Sequence, residues 1–326
     1  MDDYTREMKM TFVNVGYGEA ILLECPDDSR PDGVFHALID GGGANPDEFA
    51  DRSSGRIPIA DFLTARGLHR LDLAVSTHTH EDHICGLLHA AQLYPPAMLW
   101  QTLPPAFYLG LHPLDVRQAR TPSERLFLQA LNDYISLCFL TERNGGRIEM
   151  LHAGAARTLC PGLTAKVLAP DEADAEALMQ FTRGLYAEHD SEAFLRRLDE
   201  LDARMNNYSL MLLLDFCGTR ILLPGDTNRA GYDSIPAEAL AAHLFKVGHH
   251  GQIDGADQAL IDCIRPKGVV CCASSDRRYN SANPDTMRLL RENGASLYFS
   301  DCPAVDGESI PPHAALEFTI GMNGAW

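Results

Sequence analysis

The chain has 326 residues, with 27 Lys plus Arg against 45 Asp plus Glu, a formal net charge of −18, which excludes a bulk electrostatic hold on nucleic acid. Its 45% hydrophobic and 22% charged residues are those of a globular protein with a sizeable core, and exclude collagen, coiled coil and disordered tail. At about 150 residues per domain the length allows two small domains or one large α/β domain with insertions. The string MKMTFVNVGYGEAILLEC, residues 8 to 25, predicts two short strands around the Gly16-Tyr17-Gly18 turn, and HALIDGGG a third that ends at Asp40, so the chain opens as a β-meander. IPIADFLTARG has helical spacing with a glycine stop, and LDLAVSTH reads as a buried strand running into a histidine-rich loop.

Residues 95 to 144 turn proline-rich and then helical, and residues 171 to 204 are charged and helical. Both stretches read as insertions able to cover a pocket. Between them GRIEMLHAGAARTLCPGLTAKVLAPD gives short β-runs. SLMLLLDFCGTRILLPGD then reads as a hairpin around Gly218, EALAAHLF as a helix, and FKVG as a strand ending at His249. Two β-rich halves, each followed by helices, predict one layered α/β domain over residues 1–326, a sandwich of two sheets with outer helices. The longest apolar run, LMLLL before Asp215, falls short of the roughly 18 residues of a membrane span. MDDYTREMKM lacks the basic and then apolar character of a leader, and the nine cysteines form no CxxC pair. A cytoplasmic protein with reduced, mostly buried thiols is expected.

The sharpest chemical signal is VSTHTHEDHICG, which puts His78, His80, Asp82 and His83 within six residues after a predicted strand. Two histidines one residue apart can point the same way from an extended loop, while Asp82 and His83 turn toward a second position nearby. The spacing suits two metals. Imidazole and carboxylate suit Zn²⁺, Mn²⁺ or Fe²⁺, and a site without cysteine is expected to be catalytic rather than a closed structural zinc. Downstream, ILLPGDTN ends an apolar run in Asp226, whose carboxylate could bridge two cations, and LFKVGHHGQ ends another in His249 and His250. Adjacent side chains of an extended strand face opposite ways, so only one of these two histidines is needed as a ligand; sequence does not choose.

These motifs, in this order, resemble the metallo-β-lactamase fold, and more narrowly the soluble hydrolase domain of ComEC and its stand-alone relatives, which share IDGG, N-x-x-S-L, GD and K-V-G-H-H-G. The resemblance covers most of residues 8 to 320 and implies an αββα sandwich with a binuclear centre. His78 and His80 would bind the first metal, Asp82, His83 and one of His249 and His250 the second, with Asp226 between them. Asp40 would support the histidine loop from behind, and Asn206, Ser209, Lys246, Gln252, Tyr279 and Asn283 would lie behind the ligands or against the substrate. Where many members carry a further histidine ahead of the bridging Asp, this chain has MNNYSL, which implies a looser, water-rich first site or one that takes Mn²⁺. HHGQ stands for HHGS, and Asn283 replaces a histidine.

Such a centre, two Zn or Mn ions, implies hydrolysis by a metal-bound hydroxide, with Asp82, Asp226 and His250 as the catalytic residues. The expected substrate is a small phosphodiester or a short oligonucleotide, with Arg277, Arg278 and Lys246 near the motifs to offset the acidic charge. A carboxyl ester or lactone is the alternative; its signature would be an apolar pocket, to which Trp100, Phe107 and Tyr108 could contribute although packing is their commoner role. A non-catalytic metal-binding regulatory module is a third reading. No membrane partner is expected, and the exposed faces of the helical segments leave room for a homo-oligomer.

Overall fold

A computed structural model describes residues 6–108, 110–305 and 309–326; residues 1–5 of the leader reading lie outside it. Strands β1 (Glu7–Val13), β2 (Ile21–Pro26) and β3 (Val34–Ile39) form the expected antiparallel meander. Helix α1 (Ile59–Arg66) leads to β4 (Leu73–Val75), parallel to β3, and α2 (Glu81–Leu93) to the parallel β5 (Met98–Gln101). Helices α3 (Pro105–Tyr108) and α4 (Pro122–Arg143) precede β6 (Arg147–Met150), and β7 (Ala156–Cys160) and β8 (Leu163–Ala169) open a second sheet. Helices α5 (Glu172–Tyr186) and α6 (Ser191–Met205) then stand before the hairpin β9 (Met211–Phe216) and β10 (Thr219–Leu223). The chain finishes with α7 (Ala237–Leu240), β11 (Leu244–Lys246), α8 (Gln258–Ile264), β12 (Gly268–Cys271), α9 (Pro284–Glu292), β13 (Ser296–Phe299) and β14 (Ala315–Gly321). EALAAHLF is helical only over the four residues of α7.

The two sheets run β14-β1-β2-β3-β4-β5-β6 and β13-β12-β11-β10-β9-β8-β7. Each joins an antiparallel half to a parallel half, with helices in the parallel crossovers. Alternate residues of the strands meet between the sheets: Phe12, Leu23, Val75 and Trp100 on one side, Leu212, Leu214, Ile221 and Leu244 on the other. Helices α1, α2, α4, α5 and α6 cover the outer face of the first sheet, and α7, α8 and α9 that of the second. This is the α/β sandwich of two mixed sheets with flanking helices that the sequence implies. Among the described residues no helix is long and apolar enough to cross a membrane.

Two features place the helices around the site. The buried face of α4, Phe127, Leu128, Leu131, Tyr134, Ile135 and Cys138, repeats at helical spacing, and a capping box between Thr121 and Glu124 fixes the start of the helix. Helix α2 packs by backbone contact: a Cβ on Gly86 would lie 1.9 Å from the Gly41 carbonyl oxygen, and one on Gly41 would lie 2.0 Å from the Leu87 nitrogen. At this approach the Gly41 N–H bonds the His83 carbonyl at 2.8 Å and the Gly86 N–H bonds that of Gly42 at 2.8 Å.

Candidate metal centre

The strongest donors stand at the carboxyl ends of β3, β4, β10 and β11, where the parallel halves of both sheets meet at one edge of the sandwich, the usual place for ligands in α/β sheets. Asp40 follows β3 and is fully buried; its Oδ1 accepts from the Thr77 N–H at 2.9 Å, and its Oδ2 accepts from Thr77 Oγ1 at 2.6 Å and from His83 Nδ1 at 2.7 Å. Thr77 Oγ1, its proton given to Asp40, takes one from His78 Nδ1 at 3.1 Å. One carboxylate therefore sets the tautomers of two histidines, leaving His78 Nε2 and His83 Nε2 as lone-pair donors.

On the other side His80 Nε2 donates to Asp202 Oδ1 at 3.0 Å, which leaves Nδ1 as the ring atom that can ligate. That Nδ1 lies 3.0 Å from His78 Nε2. Two ring nitrogens this close share either a proton, which burial opposes and Asp202 favours by stabilising the charged form of His80, or a cation set between the imidazoles. His80 is extended at φ −115° and ψ 155°, as the reading of the histidine loop requires, but the next residues are not loop. Asp82 and His83 occupy the first turn of α2, which aims them at a second point.

There Asp82, His83, Asp226 and His250, all buried, each offer one donor atom, with all four within 4.8 Å of one another. His250 Nδ1 donates to the Cys272 carbonyl at 2.7 Å, turning Nε2 toward Asp226 Oδ2 at 2.7 Å and Asp82 Oδ2 at 3.0 Å. His83 Nε2 lies 3.3 Å from Asp226 Oδ2. Both Nε2 atoms are fully buried without a well-directed hydrogen bond, and these orphaned nitrogens beside two carboxylates fit a divalent cation. Burial disfavours the charged form of His250, yet Asp226 and Asp82 raise it to about 9; burial likewise opposes the charge of Asp226, which His250 and Lys246 hold well below the usual carboxylate range.

Geometry chooses between the adjacent histidines. His249 and His250 have φ of 48° and 50° in a tight 3₁₀ turn, not the extended strand that the sequence suggests. His250 points inward, whereas His249 pairs with Asp254 Oδ1 at 2.9 Å at the rim and stands outside the four-donor cluster. Lys246 is fully buried and cannot meet a substrate: its Nζ binds Glu19, the Gly225 carbonyl at 2.8 Å and Asp226 Oδ1 at 2.9 Å. That bond leaves Asp226 Oδ2 as the oxygen facing the histidines. Ser209 Oγ accepts from the Asp226 N–H at 3.2 Å. Asn283 caps α9, accepting from the Asp285 and Thr286 N–H groups, while its own N–H bonds the Gly251 carbonyl at 2.9 Å, so it stands behind the turn that carries His250 and is not among the residues lining the cavity.

A cavity of about 260 Å³ opens over the cluster, lined by Tyr17, His80, Glu81, Asp82, Asp202, Asn206, Asp226, His249, Gln252 and Tyr279, with Ser123 from α4. The Asn206 Oδ1 is buried there without a partner. A side chamber of about 380 Å³ shares Tyr17, Glu81 and Asp82 with it and extends past Ala44, Cys85, Leu126, Gln129, Asp133 and Arg278. Burial and the neighbouring Asp82 push Glu81 up to about 7. Trp100 packs between the sheets, and Phe107 and Tyr108 under the outer helices. Sequence reasoning missed Asp202, Glu19 and Tyr17. Asp202 sits in a charged helix where one more carboxylate carries no signal, and its position four residues before Asn206 was the one available hint.

Solved structures similar in fold to this chain include a metallo-β-lactamase and other metal-dependent hydrolases. No family model matches the chain. ComE operon protein 3 of Bacillus subtilis is 22% identical over 304 residues, covering 90% of this chain and 32% of the relative, so the chain spans about a third of the length of that curated protein. Among solved structures, Zn²⁺-bound PqqB from Methylobacterium extorquens is similar with a TM-score of 0.46 and 11% identity, over 93% of this chain and 86% of that one. A diphosphatase of the PhnP family is similar with a TM-score of 0.40 and 13% identity over 97% and 99% of the two chains. A metallo-β-lactamase from Cronobacter sakazakii follows at a TM-score of 0.36 and 14% identity, over 86% and 87%.

Proposed function

We propose that this chain is a metal-dependent hydrolase acting on phosphodiester bonds of small molecules or short oligonucleotides. One observation carries the reading: Asp82, His83, Asp226 and His250 converge within 4.8 Å under an open cleft, beside the facing ring nitrogens of His78 and His80. Two divalent ions, Zn or Mn, are the implied cofactors: His78 and His80 would hold the first, Asp82, His83 and His250 would hold the second, and Asp226 would serve both. A bound divalent ion supplies Lewis acidity and lowers the pKa of water toward neutrality.

The chain's own residues do the remaining work. Asp40 and Asp202 hold the imidazoles in their ligating tautomers, Lys246 fixes the rotation of Asp226, and Asp82 stands between the centre and the cleft. His249, paired with Asp254 at the rim, is placed to protonate a leaving oxygen. The wall of the cavity over the cluster is polar and rich in carboxylates, so bound divalent ions would have to supply the positive charge that a phosphodiester needs. The side chamber, with Leu126, Ala44 and Cys85 on its wall, supports a carboxyl ester or lactone as the second reading. The nine cysteines are all free, which suits a cytoplasmic protein.

The test is hydrolysis of bis(p-nitrophenyl) phosphate and of p-nitrophenyl acetate by metal-free protein resupplied with Mn²⁺ or Zn²⁺. A metal-dependent rate on the phosphodiester, lost in Asp82→Ala and Asp226→Ala while both variants keep their fold by circular dichroism, is the expected outcome. A rate on the acetate alone transfers the assignment to carboxyl esters, and no rate on either ends the hydrolase reading.

A further inference from the structure

The cleft carries an aromatic arrangement that the metal chemistry does not use. Tyr279 stands at its rim with 60% of its surface exposed, although it lines the cavity together with Asp226 and His80. Its backbone is left-handed at φ 53°, as are those of Arg277, Asn280 and Ala282 at 52°, 61° and 44°. Bulky side chains avoid that region, and such conformations persist where the surrounding structure over-determines them and cluster at ligand sites. Here the determinants are visible: the Ala282 and Asn283 N–H groups bond the carbonyls of His250 and Gly251 at 2.9 Å each, and Arg278 is anchored to Glu48 at 2.7 Å. The segment that carries Tyr279 is thus pinned to the turn that carries the ligand His250.

The ring itself is fixed on one side only. Tyr17 lies between it and the centre, with ring centroids 5.2 Å from Tyr279 and 4.6 Å from His250, and it meets Tyr279 edge-on at 64°. Arg278 lies over the Tyr17 ring at 5.6 Å. The tilted contact steadies the Tyr279 ring without stacking on it, and the ring lines the cavity with most of its surface exposed. The surrounding charge argues against a ligand gripped by its phosphate backbone: Glu81, Asp202 and Asp254 stand near the opening, and Arg277 and Arg278 are engaged by the Ser281 carbonyl and by Glu48. Beside the metal ions of the proposed centre, a flat, uncharged surface is what this cleft can add to affinity.

We infer that Tyr279 is a stacking platform and that the cleft binds substrates bearing a planar aromatic ring, a nucleobase or an aryl group, next to the bond that is broken. The inference deepens the hydrolase reading and rests on it for the reaction, but not for binding. It is tested by calorimetric titration of metal-loaded protein with thymidine 5′-monophosphate and with 2-deoxyribose 5-phosphate, which differ only in the base, alongside the turnover assay above. The wild type is expected to bind the nucleotide about tenfold more tightly, the scale of one base on one aromatic side chain. Tyr279→Ala should abolish that ratio without changing the affinity for the sugar phosphate, and Tyr279→Phe should keep it. Equal affinities in the wild type, absence of binding by both compounds, or a ratio that survives Tyr279→Ala overturns the platform; persistent turnover in any of these cases leaves the hydrolase reading standing.

Discussion

Lys246 is a fully buried cation between the carboxylates of Glu19 and Asp226, and removing it strands two negative charges in the core. Lys246→Met is expected to cost about 3–5 kcal/mol, the range for a broken buried ion pair, read as a shift of the urea midpoint at constant slope. The double variant with Glu19→Gln should recover part of the loss, because the two sites share one interaction. Asp202 acts on orientation instead. Asp202→Asn keeps the shape but no longer enforces the His80 tautomer, and should weaken binding at the His78–His80 position about 10–100-fold, measured by competition with a chromogenic chelator while the four-donor site stays filled.

Among the elements, α2 is the part on which the centre depends, since its first turn carries Asp82 and His83 and its packing on Gly41 sets their position. Gly86→Ala puts a methyl group 1.9 Å from a carbonyl oxygen. Backbone on both sides has to move, and a loss of about 3 kcal/mol, at the upper end of overpacking, should accompany reduced metal affinity in the same titration. The histidine loop, Asp226 and the pair His249-His250 were legible in the sequence because ligand spacing and strand ends are local signals. The meander, the hairpin around Gly218 and the two helical stretches followed from period and turn residues for the same reason. Which imidazole of the pair turns inward was not legible, since it depends on two left-handed residues and a carbonyl from β12's end. Asp202 and Glu19 were invisible because their roles arise only when distant segments meet, and the sequence did not choose for Asn283 between a place behind the ligands and one against the substrate, because a helix cap and a substrate contact use the same side chain.

For the whole molecule, the charge of −18 makes the encounter with an anion repulsive at long range, whatever the cations do at short range. The kcat/KM for an anionic phosphodiester is therefore expected to rise with added salt as the repulsion is screened, while that for a neutral ester stays flat. A fall with salt would mean that the local field of the centre dominates. The first sheet is closed by β14 on β1, in a register running from Glu7 opposite Gly321 to Val13 opposite Ala315. During synthesis β1 emerges well before its outer neighbour β14, because every other strand of the sandwich lies between them in the chain. Until then an apolar strand containing Met8, Met10 and Phe12 waits with an unpaired edge, and closing a loop of this length is slow. β14 is thus a latch for the fold as well as a wall of it, and the interval before it arrives is when this chain most needs protection from its neighbours.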